Sequence, residues 1–285
     1  MRAIVVDIVG HGIPERRACN HLKVPRSSMR YEVRPEDPRT EALKNQVKAL
    51  ALKHRRYGYR RITRVMRRLG ERVNHKRVYS YWRQGELQLP RRRPRRRCLN
   101  RAWVRELRAS MPNRLWAIDF VADQTCFGSK LRMLTVVDEC SRECLAIQVG
   151  WRMPSVDVIA VLQELVLQRG APCHIRLDNG PEFIAEKLKA WAEANGITIA
   201  HTEPGSPWQN GFIESFNGKF RDECLNQEVF LSRVEAQVVV EWWRRSYNEE
   251  RPHSALGGKT PAEVAAAHRG MYTYPGGENS GHGFN

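Results

Sequence analysis

The chain has 285 residues, 41% of them hydrophobic, which is enough to bury a sizeable core and excludes a disordered polyelectrolyte. Forty-eight Lys and Arg against 31 Asp and Glu leave a formal net charge of +17, which points to a polyanionic partner without saying which. Seven cysteines with no CxxC spacing argue against a disulfide scaffold, and the short apolar start and the lack of any membrane-length run predict a cytoplasmic protein with free thiols and no membrane partner.

Residues 14–31 read as two short helices, Glu15 to Leu22 and Ser28 to Tyr31, with Lys23-Val24-Pro25 as the turn and Ser27 as a possible cap. The spacing fits a helix-turn-helix and equally a plain helical hairpin. Arg34-Pro35-Glu36-Asp37-Pro38 is a linker. Apolar residues at helical spacing from Thr40 to Leu69 predict two helices broken at Gly58, and Asn74 is placed to cap a third.

Between positions 51 and 100 there are eighteen Lys and Arg and two Glu, so nearly all the net charge lies in one fifty-residue stretch. Arg55, Arg56, Arg60, Arg61, Lys76 and Arg77 alternate with Tyr57, Tyr59, Tyr79 and Tyr81. Guanidinium on phosphate with rings against sugar or base is the chemistry of a DNA contact. The plainer reading buries the tyrosines, Tyr79 foremost, and leaves DNA to the basic residues. Arg91, Arg92, Arg93, Arg95, Arg96 and Arg97 around Pro94 form a solvated linker suited to a DNA backbone.

The expected organisation is 1–33 helix-turn-helix-like, 40–89 basic and helical, 90–105 Arg-rich linker, 106–270 catalytic core, and 271–285 disordered tail. Within the core, strands are expected at Leu115–Val121, Leu131–Val137, Cys144–Val149, His174–Leu177 and Ile197–His201. Helices are expected over Ser155–Gln168, Pro181–Glu193, from Ser206 through Arg221, and Arg233–Asn248. Ser206, Pro207 and Gln209 have the pattern of a capping box, as do Ser232 and Glu235. Phe212, Phe216 and Phe220 share the face expected to bury, while Asn210, Glu214, Asn217 and Arg221 share another. A meander followed by alternating strands and helices implies an α/β fold with a mixed five-stranded sheet, flanked by helices and preceded by the basic all-helical DNA-binding region.

Three acids stand out on these elements. Asp119 interrupts the apolar strand Leu115–Val121, Asp178 ends the run His174–Leu177, and Glu214 lies on a helix, separated from Asp178 by thirty-five residues. An acid in an apolar strand is costly unless a cation compensates it. Three converging carboxylates would hold divalent ions, and two ions can clamp the attacking and leaving oxygens of a phosphodiester. That is the logic of a ribonuclease-H-like nucleotidyl-transfer site. Taken singly, each acid has an ordinary explanation as a turn, cap or solvated residue. Asp123, Asp138 and Glu182 compete, but Asp138 beside Ser141 reads as structural and Glu182 suits a first helical turn. His174, His201 and His253 also read as structural.

At these residues the chain resembles the OrfB-type transposases of the insertion-sequence-3 family, relatives of retroviral integrases. The resemblance rests on Trp116-Ala117-Ile118-Asp119-Phe120, Leu177-Asp178-Asn179-Gly180-Pro181-Glu182-Phe183, Ser206-Pro207-Trp208-Gln209-Asn210-Gly211 with Glu214-Ser215-Phe216-Asn217-Gly218-Lys219, and Tyr247-Asn248 with Arg251-Pro252-His253-Ser254. It implies a DDE transposase that cleaves and joins DNA, with Asp119, Asp178 and Glu214 as catalytic residues and ligands of two Mg2+ or Mn2+ ions. It further implies DNA contacts at Asn210, Lys219 and Arg221, and double-stranded DNA, as element inverted repeats and target, for a partner. A homo-oligomer on DNA, a nucleoid-associated location and fusion or association with an upstream OrfA product also follow from it. Two other classes compete: a catalytically inactive DNA-binding regulator, and a general nuclease of the same fold.

Overall fold

The computed structural model describes residues 1–31, 37–89, 109–178, 186–201 and 210–272. The chain divides into two compact units at Ala49 and Leu50, inside the helix Pro38–Lys53. In the first unit, helices α1 (Arg2–Gly10), α2 (Glu15–His21) and α3 (Arg26–Arg30) gather around buried Val5, Ala18 and Cys19. The sequence reading placed no element over α1, although Val5 and Ile8 lie three residues apart on one helical face. α3 begins at Arg26, two residues before the expected start, with Pro25 at its N-cap instead of Ser27. Asp37 caps α4 (Pro38–Lys53), its carboxylate accepting the Arg39 N–H at 2.9 Å.

In the second unit, α5 (Tyr59–Arg68) and α6 (His75–Gln84) pack together through Ile62, Met66, Val78 and Trp82. Asn74 caps α6 as expected, accepting the Lys76 N–H at 2.9 Å. Two expectations about the aromatic residues reverse here. Tyr57 is buried and stacked on His54, whereas Tyr79 is 45% exposed with its ring 4.9 Å from that of Tyr59. Tyr57 lies in the turn against the rest of the unit, while Tyr79 lies on the outer side of α6, next to the inward-facing Val78.

The sheet has five strands in the order β3-β2-β1-β4-β5, with β1 Leu115–Gln124, β2 Lys130–Asp138, β3 Cys144–Gly150, β4 His174–Leu177 and β5 Thr198–His201. β1, β2 and β3 are antiparallel neighbours, while β4 and β5 run parallel to β1. This is the expected mixed, ribonuclease-H-like sheet. Gly128 (φ 79°) makes the turn between β1 and β2, a backbone conformation costly for residues with a Cβ. The first three strands run one to three residues past their expected ends, because charged and polar residues continue the ladders once the apolar runs stop.

Side chains alternate between the two faces. Trp116, Ile118, Leu134 and Val136 face α7 (Ser155–Arg169) and α8 (Glu186–Ala194) through Val158, Leu162 and Leu188. Ala117, Val121, Met133 and Val137 face α9 (Gly211–Glu223) and α10 (Arg233–Glu249). The first part of the helix expected from Pro181 and the capping residues expected before α9 lie outside the described residues. Asn210 takes the N-cap position of α9 without a side-chain capping bond. Ser232 caps α10 as expected, but Glu235 reaches back to the Leu231 N–H, one residue beyond the usual capping-box partner.

Phe216 and Phe220 interlock with Trp243 and Tyr247, the Phe216 and Tyr247 rings meeting edge-on with centroids 5.0 Å apart. Phe212 does not join them. It is half-buried, with the Arg142 guanidinium 3.6 Å from its ring centroid, and Ile213 takes the core position. Ile213, Phe216 and Phe220 fall at i, i+3 and i+7, so Phe212 sits at the edge of that stripe.

Asp138 is structural, as read from the sequence: its carboxylate accepts from the Ser141 N–H and hydroxyl and from the Asn113 N–H. Arg176 on β4 makes a buried ion pair with Glu139, just past β2. Among the free thiols, Cys19, Cys144 and Cys224 are buried as expected, whereas Cys126 is exposed. Among the described residues no helix is long and apolar enough to cross a membrane.

Candidate active site

Asp119 belongs to the sheet face that α9 covers, by the same alternation that points Ala117 and Val121 inward. β1 and β4 pair in parallel with Leu115 opposite His174 and Ala117 opposite Arg176. The same offset, carried two residues further, sets Asp178, just past the carboxyl end of β4, beside Asp119 in the middle of β1. In an open α/β sheet the crevice outside the carboxyl ends of the strands, where strand order switches, is the usual place for a ligand. Glu214 is exposed on the first turn of α9, three residues before Asn217, and therefore on the side of the helix that looks toward Asp119.

Asn217 ties the helix to the strand. Its Nδ2 donates to Asp119 Oδ2 at 2.8 Å, the only polarity a carboxylate allows. The Thr135 hydroxyl lies 3.1 Å from Asn217 Oδ1 and 3.0 Å from the Asp119 carbonyl, so its one proton serves either acceptor. Arg221, one turn on, donates to the Ala122 carbonyl at 2.9 Å. Burial pushes the Asp119 carboxyl up to about 6, and the charges of Asp178 and Glu214 add to the rise. The Phe120 N–H and the Asn217 amide act against it. Asp119 thus feels the charge of both other acids. Yet among the described residues no three His, Cys, Asp or Glu side chains stand close enough to ligate one ion. The donor set is all hard oxygen, suited to a divalent cation, and its mutual repulsion is what such a cation would relieve.

The predicted DNA contacts separate into groups. Arg55, Arg60, Lys76 and Arg77 are exposed. Arg60 and Arg77 also bond the hydroxyls of Tyr59 and Tyr81. Arg56 and Arg61 are instead ion-paired with Asp222 and Glu223 at the end of α9. Tyr59 is half-buried, and Asn210 is buried with no hydrogen-bond partner for its Oδ1 among the described residues. Arg91, Arg92, Arg93, Arg95, Arg96 and Arg97 lie outside the described residues. Lys219 is half-buried against Ser215, 3.0 Å away; burial, then the charge of Arg251, brings its ammonium down to about 8.

Reading the sequence missed the hub at Glu223. Arg251 grips this carboxylate with two bonds, 2.7 and 2.6 Å, and Arg61 adds a third at 3.0 Å. One signal was available: Asp222 and Glu223 close a helix whose dipole disfavours acids at that end, so cations had to be found for them. Where those cations came from was not visible. Arg61 lies 162 residues away in sequence.

Two integrase-core family models match residues 109–207 and 195–261, and an HTH-like domain model matches residues 38–95. A 31.7 kDa protein of insertion element IS407 from Burkholderia multivorans is 41% identical over 92% of this chain and 94% of its own length. The transposase InsD for an IS2 insertion element of Escherichia coli is 30% identical over 73% of this chain and 72% of its own. Among solved structures, the HTLV-2 integrase catalytic core domain in complex with magnesium matches at 20% identity, with a TM-score of 0.46, over 55% of this chain and 99% of that one. With this extent of similarity to insertion-element proteins and an integrase core, the chain belongs to the OrfB-type transposases of the insertion-sequence-3 family.

Proposed function

We propose that this chain cleaves the ends of an insertion element and joins them to target DNA by metal-dependent phosphoryl transfer of the DDE type. The observation that carries the reading is the geometry around Asp119: the β1–β4 register that runs on to Asp178, and the Asn217 bond that ties Asp119 to the helix bearing Glu214. In this reading Asp119, Asp178 and Glu214 would hold two Mg2+ or Mn2+ ions, whose chemistry would be to activate water or a DNA 3′-hydroxyl and offset charge at phosphorus. The residues of the chain itself supply position. Asn217 fixes the Asp119 carboxylate, and the α9 aromatic core fixes the helix that carries Glu214. Ligation requires the three side chains to draw in further than they stand.

Double-stranded DNA is the partner that this chemistry needs. The exposed Arg55, Arg60, Lys76 and Arg77, the Arg-rich stretch 91–97 and Arg221 are its proposed contacts, with Lys219 and Asn210 nearer the site. A homo-oligomer on DNA, association or fusion with an OrfA product and a cytoplasmic, nucleoid-associated location complete the proposal. So does the division into segments 1–33, 40–89, 90–105, 106–270 and 271–285.

The purified chain should nick supercoiled plasmid with manganese and leave it intact with EDTA. Binding to DNA without any metal-dependent nicking would favour the inactive regulator instead. Asn217→Ala should slow nicking roughly 10–100-fold, the usual loss when the group orienting a metal ligand is removed, without abolishing DNA binding. An unchanged initial rate would remove Asn217 from the site.

A further inference from the structure

The basic residues of α5 face two ways. Ile62 and Met66 bury one side against α6. On another side, Arg61, Arg64 and Arg68 follow at i, i+3 and i+7 and meet the acidic surface of the catalytic part of the same unit. Arg56, in the preceding turn, pairs with Asp222. Arg61 pairs with Glu223 at 3.0 Å. Arg68 pairs at 2.8 Å with Glu263, in the first turn of α11 (Pro261–Tyr272). Lys53 reaches Glu250 at 3.4 Å. The Arg64 side chain lies so close over Gly258 that a Cβ there would stand 3.4 Å from its Nε. Glu223 anchors the set, because Arg251, 3% exposed, holds it from the core side while Arg61 holds it from the helical side.

We propose that this face of α5 is a docking surface for the catalytic core and not for DNA. Arg56, Arg61 and Arg68 clamp α5 and α6 onto α9 and α11, and Lys53 adds a tie to Glu250 just past α10. DNA held on the outer side of α6, by Lys76 and Arg77, is thereby presented to the Asp119 edge in one fixed orientation. Single exposed ion pairs contribute little, but several pairs along one face, one of them on the buried Glu223 carboxylate, fix a direction of approach. Arg56 and Arg61 are therefore positioning residues: they touch α9, and α9 carries Glu214 and Asn217. The inference rests on the transposase reading for its consequence but not for its test.

The test compares two double variants, Arg56→Gln/Arg61→Gln and Lys76→Gln/Arg77→Gln, in binding a random-sequence duplex over a salt titration. Each lost phosphate contact lowers the slope of log affinity against log salt by about 0.9. The α6 variant should lose roughly 1.8 from its slope, and the α5 variant should keep the wild-type slope. Hydrogen exchange without DNA should show α5 amides opening at least tenfold more often in the α5 variant and not in the α6 variant. The charge swap Arg56→Asp/Asp222→Arg should restore the protection that Arg56→Asp alone removes. Equal slope losses in the two variants, or a swap no better protected than its single parent, would overturn the clamp. Neither readout needs nicking activity, so an inactive wild-type chain would count against the proposed function and leave this test decisive.

Discussion

Asp119→Asn is expected to lower manganese-dependent nicking by a thousandfold or more and, in metal-free buffer at pH 8, to raise the melting temperature. The two effects have one origin. Asp119 sits partly desolvated in the middle of β1 with Asp178 and Glu214 close enough to disfavour its charge. At pH 8, well above its raised value of about 6, it is ionised and repelled. A neutral amide of the same shape removes that repulsion and keeps a partner for the Phe120 N–H. It also removes the ligand that a metal needs, and a thousandfold loss corresponds to about 4 kcal/mol of barrier. Asp178→Asn and Glu214→Gln should show the same loss. The measurements are initial nicking rates and thermal unfolding of the same preparations. Retention of even a tenth of wild-type activity by Asp119→Asn would end its assignment as a metal ligand. A lowered melting temperature would show that the carboxylate is satisfied by the fold alone.

Arg251→Met should be the most damaging change for stability among the polar sites, costing about 3–5 kcal/mol. Glu223 is 7% exposed and would keep only Arg61, a half-exposed partner joined by a single bond. At roughly 2–4 °C per kcal/mol for a unit of this size, the melting temperature should fall by about 10 °C. Arg251→Lys should rescue little, because an ammonium cannot reproduce two parallel bonds to one carboxylate. Glu223→Gln/Arg251→Met should be milder than Arg251→Met, since it leaves no buried carboxylate short of a partner, and the Arg61 charge it strands is part-exposed. Urea unfolding of the three variants checks the order, and equal losses in all three would contradict it. The same network sets an acid limit. Burial, reinforced by Arg251 and neighbouring cations, brings His253 down to about 3, so the folded chain resists a proton that the unfolded chain accepts near 6.5. Stability from this group is present above about 6.5 and is lost as pH falls toward 3.

Much of the architecture was legible because it follows from short-range periodicity. Short apolar runs at Leu115–Val121 and Leu131–Val137 marked the strands, and Asn74 and Ser232 marked helix starts from side-chain chemistry next to them. Asp138 could be told from Asp119 because Ser141 stood three residues away to satisfy it. What failed was long-range or marginal. Tyr57 and Tyr79 exchange roles because a tyrosine pattern does not say which side of a helix pair meets the rest of the unit. Phe212 lies one position outside a stripe that a five-residue inspection cannot resolve. Arg56 and Arg61 looked like DNA ligands because their acidic partners, 166 and 162 residues on, belong to no local pattern.

The ion pair between Arg176 and Glu139 has a bearing on how this site can be lost in evolution. Arg176 lies on the four-residue strand β4, and Asp178, two residues on and one past its end, follows on the same side. A single inserted or deleted residue ahead of β4 could slide it by one step, and every side chain on it would then change sides. Asp178 would turn away from Asp119, but Arg176 would also abandon Glu139 in an apolar interior, a penalty much larger than any mismatch of aliphatic residues. The salt link thus acts as a proofreading peg for the strand, making mis-threaded versions unstable before they can persist as folded but inert copies.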